Sequence, residues 1–126
     1  MTEARRSFDE VVEAILEEDP RYRREAYAFI QLALDYYREV TGRGRERVHI
    51  TGPELLQGVR GLAFREYGPL ARTVLNHWGL MGGKDVGEVV YNLIRHHLMS
   101  RSTEDDQADF EGVMEFDASM DREYEG

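Results

Sequence analysis

The stretch TGPELLQGVRGLAFREYGPLARTVLNHWG, Thr51–Gly79, decides the fold because it encodes two helices that meet at a tight joint. Thr51 and Glu54 have the spacing of a capping box, and apolar residues then recur at helical spacing as far as Gly68. Pro69 is tolerated in the first turn of a new helix, and Gly79 is placed to act as the C-cap of that helix. The sequence therefore predicts two helices joined at Gly68-Pro69.

A further helix is predicted downstream, in DVGEVVYNLIRHHLMSR, Asp85–Arg101. Asp85 and Glu88 repeat the capping pattern, and His97 falls on the apolar face, where it is predicted to be a buried core histidine. The residues predicted to be exposed on this helix are Asp85, Gly87, Glu88, Asn92, Arg95 and His96.

Two more helices are predicted upstream. Ser7 and Glu10 form a capping box for a short amphipathic helix, which Asp19-Pro20 ends. The same Asp19-Pro20 pair is suited to begin the second helix, because Asp is a good N-cap and Pro is tolerated in a first turn. That helix is predicted to continue to Gly42, with one apolar stripe of Tyr22, Ala26, Phe29, Ile30, Ala33, Tyr37 and Val40.

Short β-prone runs flank the three C-terminal helices. Val48–Ile50 precedes them, and Phe110, Met114 and Phe116 have the parity of one strand face in a hairpin that follows them. The predicted fold class is mainly α with a minor α+β part: a helical domain with a winged-helix-like core, about five helices and a small C-terminal β-hairpin. The alternative is a plain five-helix domain with an ordered C-terminal arm.

One domain accounts for the length of 126 residues. We expect residues 1–116 to form it, with an N-terminal helical pair at 1–42 and the winged-helix-like core at 48–116, and residues 117–126 to be a disordered acidic tail. The chain has no cysteine, no stretch of signal-peptide type and no run of about 20 apolar residues, which predicts a cytoplasmic protein that does not enter a membrane.

The net charge of −9 is concentrated at one end of the chain. Residues 1–102 contain fifteen acidic and fifteen basic side chains, whereas residues 103–126 contain ten acidic side chains and one basic. Such a block repels nucleic acid and favours basic partners. A solvated, solubilising tail is the alternative interpretation.

Motifs for enzymatic chemistry do not satisfy their spacing rules. Adjacent helical residues point about 100° apart, so His96 and His97 cannot easily share one metal ion. The carboxylates that begin at Asp105 resemble a calcium loop but have Phe110 where that loop needs glycine, and Asp85 follows Lys84 where a phosphate loop needs Ser or Thr. We therefore predict no catalytic residue, no metal and no cofactor; an enzyme with a composite histidine and carboxylate site that includes His77 is one alternative.

A non-enzymatic protein-interaction or adaptor module is the predicted function. Its partner would be a protein with a basic surface, and a homodimer is also open. The predicted partner-binding residues are Glu104, Asp105, Asp106, Asp109 and Glu111. The other alternative is a nucleic-acid-binding winged-helix regulator, whose phosphate contacts would come from Arg43, Arg45, Arg47 and Arg95.

Three long stretches carry a resemblance to a known family. They are DPRYRREAYAFIQLAL (19–34), HITGPELLQGVRGLAFREYGPLARTVLNHWGL (49–80) and DVGEVVYNLIRHHLMSRSTEDDQADFEGVMEF (85–116). In these stretches the chain resembles a family of small bacterial proteins, the Minf-type domain of unknown function. The resemblance implies no activity, cofactor or catalytic residue, but it implies that the acidic segment belongs to the domain.

Overall fold

The described part of the computed structural model, residues 7–41 and 51–99, is mainly helical, which confirms the predicted class. The helices are α1 (Phe8–Glu18), α2 (Arg24–Thr41), α3 (Gly52–Tyr67), α4 (Ala71–His77) and α5 (Gly83–Arg95), with a 3₁₀ turn at Gly68–Leu70 before α4. None of these described helices is both long enough and apolar enough to cross a membrane. The predicted strand at 48–50, the hairpin and the boundary at 116 lie outside the described residues.

Local capping signals begin two of the helices as predicted. The Ser7 side chain accepts a hydrogen bond from the Glu10 N–H, and the Glu10 side chain accepts one from the Ser7 N–H. Thr51 and Glu54 make the same reciprocal pair at the start of α3. Each box satisfies two of the N–H groups that a helix start leaves without an intrahelical partner.

The joint between α3 and α4 lies at Gly68-Pro69 as predicted, but α4 begins at Ala71 after the 3₁₀ turn, and its C-cap is Trp78 and not Gly79 as predicted. Gly68 ends α3 with a φ of 53°, and Gly79 follows the last turn of α4 with a φ of 98°. Both values lie in the left-handed region that glycine adopts at little cost. Gly79 also allows a close approach, because a Cβ there would lie 2.7 Å from the Arg21 carbonyl oxygen.

The predicted start of α2 is wrong. α2 begins at Arg24, and the Asp19 carboxylate accepts the Arg21 N–H at 3.2 Å instead of capping a helix. Asp19 is also held by the side chain of Arg21, two residues away, and by Asn92 of α5, and these contacts occupy the carboxylate in place of a helix cap. Residues 19–23 therefore form a connecting turn.

The core lies where α2, α3 and α5 meet. α2 packs along α3, α5 contacts both, α1 lies against α2, and α4 lies against α3. Fully buried side chains come from all five of these helices, among them Val12, Ile30, Leu56, Leu75 and Val89. An aromatic cluster of Phe29, Tyr67 and Trp78, with ring centroids 5.2–6.1 Å apart, closes the end of this core near α4.

Candidate functional site

Most of the residues predicted to bind a partner lie outside the described part of the chain. These are Glu104, Asp105, Asp106, Asp109 and Glu111, together with Arg43, Arg45 and Arg47. Arg95 is described, in the last turn of α5. Its guanidinium is exposed but forms an ion pair with Glu18 at 3.0 Å and lies 5.9 Å from the centre of the Tyr91 ring. Arg95 therefore links α5 to the end of α1.

The predicted exposed face of this helix is wrong at two positions. Gly87 and Asn92 are buried, whereas Asp85, Glu88 and His96 are partly exposed and Arg95 is exposed. The exposed residues of α5 are Lys84, Tyr91 and Arg95. The polar side chains face inward because the α1–α2 turn supplies partners for them. α5 is thus a central helix with a narrow exposed stripe.

A polar network joins α5 to the α1–α2 turn. Asn92 Nδ2 donates to Asp19 Oδ2 at 3.0 Å and to the Tyr27 hydroxyl oxygen at 3.1 Å. Arg21 donates to both carboxylate oxygens of Asp19 at 2.6 and 2.8 Å, and to Glu88 at 3.0 Å. Hydrogen bonds from Arg21 hold the pKa of Asp19 well below its ordinary value, against the opposing effect of burial, and Asn92 adds to the lowering.

Asp85 is the third residue of α5, and its side chain accepts hydrogen bonds at the start of this helix. Its predicted role as N-cap is wrong, because α5 begins at Gly83. Asp85 Oδ2 reaches back to accept the Met81 N–H at 2.9 Å, while Oδ1 accepts the Tyr22 hydroxyl at 2.7 Å. Burial raises the pKa of Tyr22, and the hydrogen bond to Asp85 raises it further. These contacts tie α5 to the chain before α2, which is a structural role.

The described histidines do not converge on one site. His97 is exposed at a φ of 63° in the turn after α5, so its predicted burial in the core is wrong. His96 Nε2 lies 3.3 Å from Glu18 Oε1, and this hydrogen bond is the main reason that the pKa of Glu18 is lowered. His77 is exposed at the end of α4. Within residues 7–41 and 51–99, no group of three His, Asp or Glu side chains is arranged to hold a metal ion.

A first groove has arginines along its edge. It encloses about 580 Å³ between residues 16–25 and the end of α4, and we call it the Arg-rich groove. Its arginines already have protein partners: Arg21 pairs with Asp19 and Glu88, Arg24 pairs with Glu13, and Arg23 Nε donates to the His77 carbonyl oxygen. The cations of this groove therefore mainly join α1, α2, α4 and α5 to one another.

A second groove, the α2–α3 groove, has an apolar wall and an acidic edge. It encloses about 400 Å³, and its lining residues are Leu32, Asp35, Tyr36, Glu39, Leu62, Arg65, Glu66 and Tyr67. Leu32 is 58% exposed, although α2 buries its opposite face in the core. The Arg65 guanidinium lies 5.7 Å from the centre of the Tyr36 ring. Apolar surface that remains open to water beside unpaired charge is a feature of docking surfaces.

The acidic edge of the α2–α3 groove consists of Asp35, Glu39 and Glu66, all exposed. None of these carboxylates forms a salt bridge with another described side chain, in contrast to Glu13, which pairs with Arg24. Arg65 is the one basic residue among the described residues of the lining. The described lining of the groove therefore carries an excess of negative charge.

The sequence contains an apolar spacing on α2 that indicates the α2–α3 groove, and the predicted buried stripe did not include it. Leu32, Tyr36 and Val40 are four residues apart and therefore lie on one side of α2. The predicted place of Val40 in the buried stripe is wrong, because its side chain is 63% exposed. α2 therefore carries a second apolar stripe beside the buried one, and this second stripe is open to solvent.

Comparison with protein-family models, with curated proteins and with solved structures finds no match to this chain. The geometry of the two grooves and of the polar network is accordingly the basis for assigning a function.

Proposed function

We propose that the protein is a non-enzymatic protein-interaction module that binds a partner with a basic surface. The observation that carries this proposal is the α2–α3 groove, in which exposed Leu32 and the Tyr36 ring stand next to the carboxylates of Asp35, Glu39 and Glu66. An apolar anchor in the groove would supply affinity, and the carboxylates would select positive charge.

The proposal includes the acidic segment. Glu104, Asp105, Asp106, Asp109 and Glu111 would add long-range attraction for the same basic partner, with a reach of about 8–10 Å at physiological salt. We also propose that the protein is cytoplasmic and bacterial, that it belongs to the Minf-type family, and that it has a winged-helix-like core. The order of α3, α4 and α5 and the tight joint at Gly68-Pro69 support that core.

The nucleic-acid alternative is less well supported. A recognition helix needs an exposed face rich in groups that contact bases and phosphates, whereas α5 exposes Lys84, Tyr91 and Arg95 and turns Asn92 inward. Arg95 is also paired with Glu18. A salt-titrated binding assay tests this alternative, which requires retention of DNA or RNA at physiological salt.

Site-specific crosslinking in cells tests the proposed docking surface. A benzophenone amino acid is placed at Leu32 or, as the matched control, at Leu70, an exposed leucine of the 3₁₀ turn at 61% exposure. We expect position 32 to yield a defined crosslinked protein, position 70 not to yield it, and Tyr36→Ala in the same chain to remove it. The same products from both positions, or no product from position 32, would reject the α2–α3 groove as the docking surface.

A further inference from the structure

The occupant of the α2–α3 groove can be described more closely from the shape and charge of that surface. We infer that it is an amphipathic helix of a partner protein, laid along α2, with apolar anchors at helical spacing and Lys or Arg beside them. This inference rests on the proposed function.

The exposed stripe on α2 has the length and spacing of a helix-binding surface. Leu32, Tyr36 and Val40 occupy positions i, i+4 and i+8 of one helix, which corresponds to about 12 Å along the axis at 1.5 Å per residue. Leu32 and Val40 are 58% and 63% exposed. A bound helix presents its own anchors at i, i+3 or i+4, and i+7, over a similar length.

The floor of the groove can receive a side chain between the two helices. Leu62 of α3 is buried at its base, while Tyr36 and Tyr67 are partly exposed at its sides. The Tyr36 ring lies over Gly61, where an added Cβ would come within 3.1 Å of the ring. The absence of a side chain at Gly61 lets the ring lie close to α3. The surface is therefore a furrow along α2 and not a flat patch.

The charge around the furrow selects a heterologous partner over a second copy. Asp35 and Glu39 lie one residue before Tyr36 and Val40 along α2, and Glu66 faces them from α3. In a symmetric dimer on this surface, the same acidic patch would lie on both sides of the interface, and like charges across an interface are unfavourable. Lys or Arg side chains that flank the anchors of a partner helix would instead pair with them.

Three synthetic peptides that share their apolar anchors test the inference with the full-length protein. The first is an amphipathic helix with Lys beside the anchors, the second has Glu in place of each Lys, and the third is the Lys peptide with a central proline that breaks the helix. We expect the Lys helix to bind at least about tenfold more tightly than either of the other peptides, as measured by fluorescence anisotropy.

Two variants show where the Lys helix binds, since the acidic segment could also attract it. Leu32→Asp adds a negative charge, so it would strengthen a purely electrostatic association; we expect it to weaken binding by about tenfold because the anchor is lost. Leu70→Asp is the matched control and should leave the affinity unchanged. Equal binding of the Lys and Glu peptides, equal binding of the proline peptide, or no effect of Leu32→Asp would overturn the inference.

The peptide result is separable from the proposed function. Crosslinking from position 32 to a protein partner, together with failure of the Lys helix to bind, would overturn the helical basic occupant and retain the docking surface. Sedimentation that shows a dimer dissociated by Leu32→Asp would assign the stripe to a second copy and would likewise overturn the inference.

Discussion

Asn92 is the residue on which the junction of α1, α2 and α5 depends. It is 3% exposed, and its amide nitrogen donates to both Asp19 and Tyr27 while its oxygen accepts from Arg95 at 3.4 Å. A buried amide is stabilising only while its partners are in place, because an unpaired buried polar group costs about 1–3 kcal/mol.

Asn92→Ala is expected to lower the free energy of unfolding by about 2–3 kcal/mol, since it leaves a cavity and removes a partner from the Tyr27 hydroxyl. Urea denaturation measures the change. In a Tyr27→Phe background, the same substitution should cost about 1 kcal/mol less, because the hydroxyl that it strands is already absent. An identical cost in both backgrounds would show that the Tyr27 contact does not contribute.

Asp19 is expected to make the free energy of unfolding depend on pH in the acidic range. Because its pKa is lower in the folded protein than in the unfolded chain, the stabilisation is fully present above the unfolded value of about 3.9 and is lost as the pH falls below it. We expect Asp19→Asn to be less stable than the wild type at pH 7 and to lose less of its remaining stability on acidification from about pH 5 to about pH 2. Denaturation at a series of pH values measures both effects, with exposed Glu17→Gln as the control. Parallel pH profiles for the wild type and Asp19→Asn would contradict this assignment.

The distance between helices α2 and α3 depends on Gly58. A Cβ at Gly58 would lie 2.8 Å from the Ala33 carbonyl oxygen and 3.0 Å from the Tyr37 Cβ. Both atoms belong to the packed backbone region of α2 and cannot move independently of the helix. At Gly61, three residues later, the nearest atom belongs to the Tyr36 ring, whose outer face is partly exposed.

Gly58→Ala and Gly61→Ala are therefore expected to differ in sign or size. Alanine favours a helix over glycine by about 1 kcal/mol at either position. At Gly58 we expect a net loss of about 1–3 kcal/mol in the free energy of unfolding, because α2 and α3 must separate. At Gly61 we expect a change within about 1 kcal/mol of zero, since the Tyr36 ring can shift. Thermal and urea unfolding of the two variants test the pair, and equal losses would show that the contact with the Ala33 carbonyl is not limiting.

Across the whole molecule, the features that could be predicted from the sequence are the local ones. The capping boxes at Ser7 and Thr51 and the end of α3 at Gly68 depend on residues within one turn of each other. Asp19 and Asn92 also have local preferences, but the hydrogen bond between them joins residues that are 73 positions apart in the chain. This separation explains why the start of α2 and the exposed face of α5 were predicted wrongly.

Only part of the candidate site could be predicted from the sequence, for the same reason. The spacing of Leu32, Tyr36 and Val40 was readable as a stripe, but a stripe alone does not reveal whether another helix covers it. The acidic edge needs Glu66 of α3 beside Asp35 of α2, a proximity that arises only when the two helices pack. The expectation of a basic partner follows from the net charge alone, whereas the proposed docking surface depends on how α2 and α3 pack.

The two acidic features of the molecule should affect different steps of binding. Charges outside a contact mainly accelerate encounter, whereas loss of a buried anchor mainly accelerates dissociation. For the Lys helix, we expect the variant Glu104→Gln/Asp105→Asn/Asp106→Asn/Asp109→Asn to lower the association rate constant by severalfold and to reduce its salt dependence, with little change in the dissociation rate constant. Leu32→Asp should raise the dissociation rate constant by about tenfold, with little change in the association rate constant. Stopped-flow fluorescence at two salt concentrations measures both constants. If neutralising the acidic segment raised the dissociation rate constant as much as Leu32→Asp does, those carboxylates would have to contact the bound helix directly, and the α2–α3 groove could not account for the complex alone.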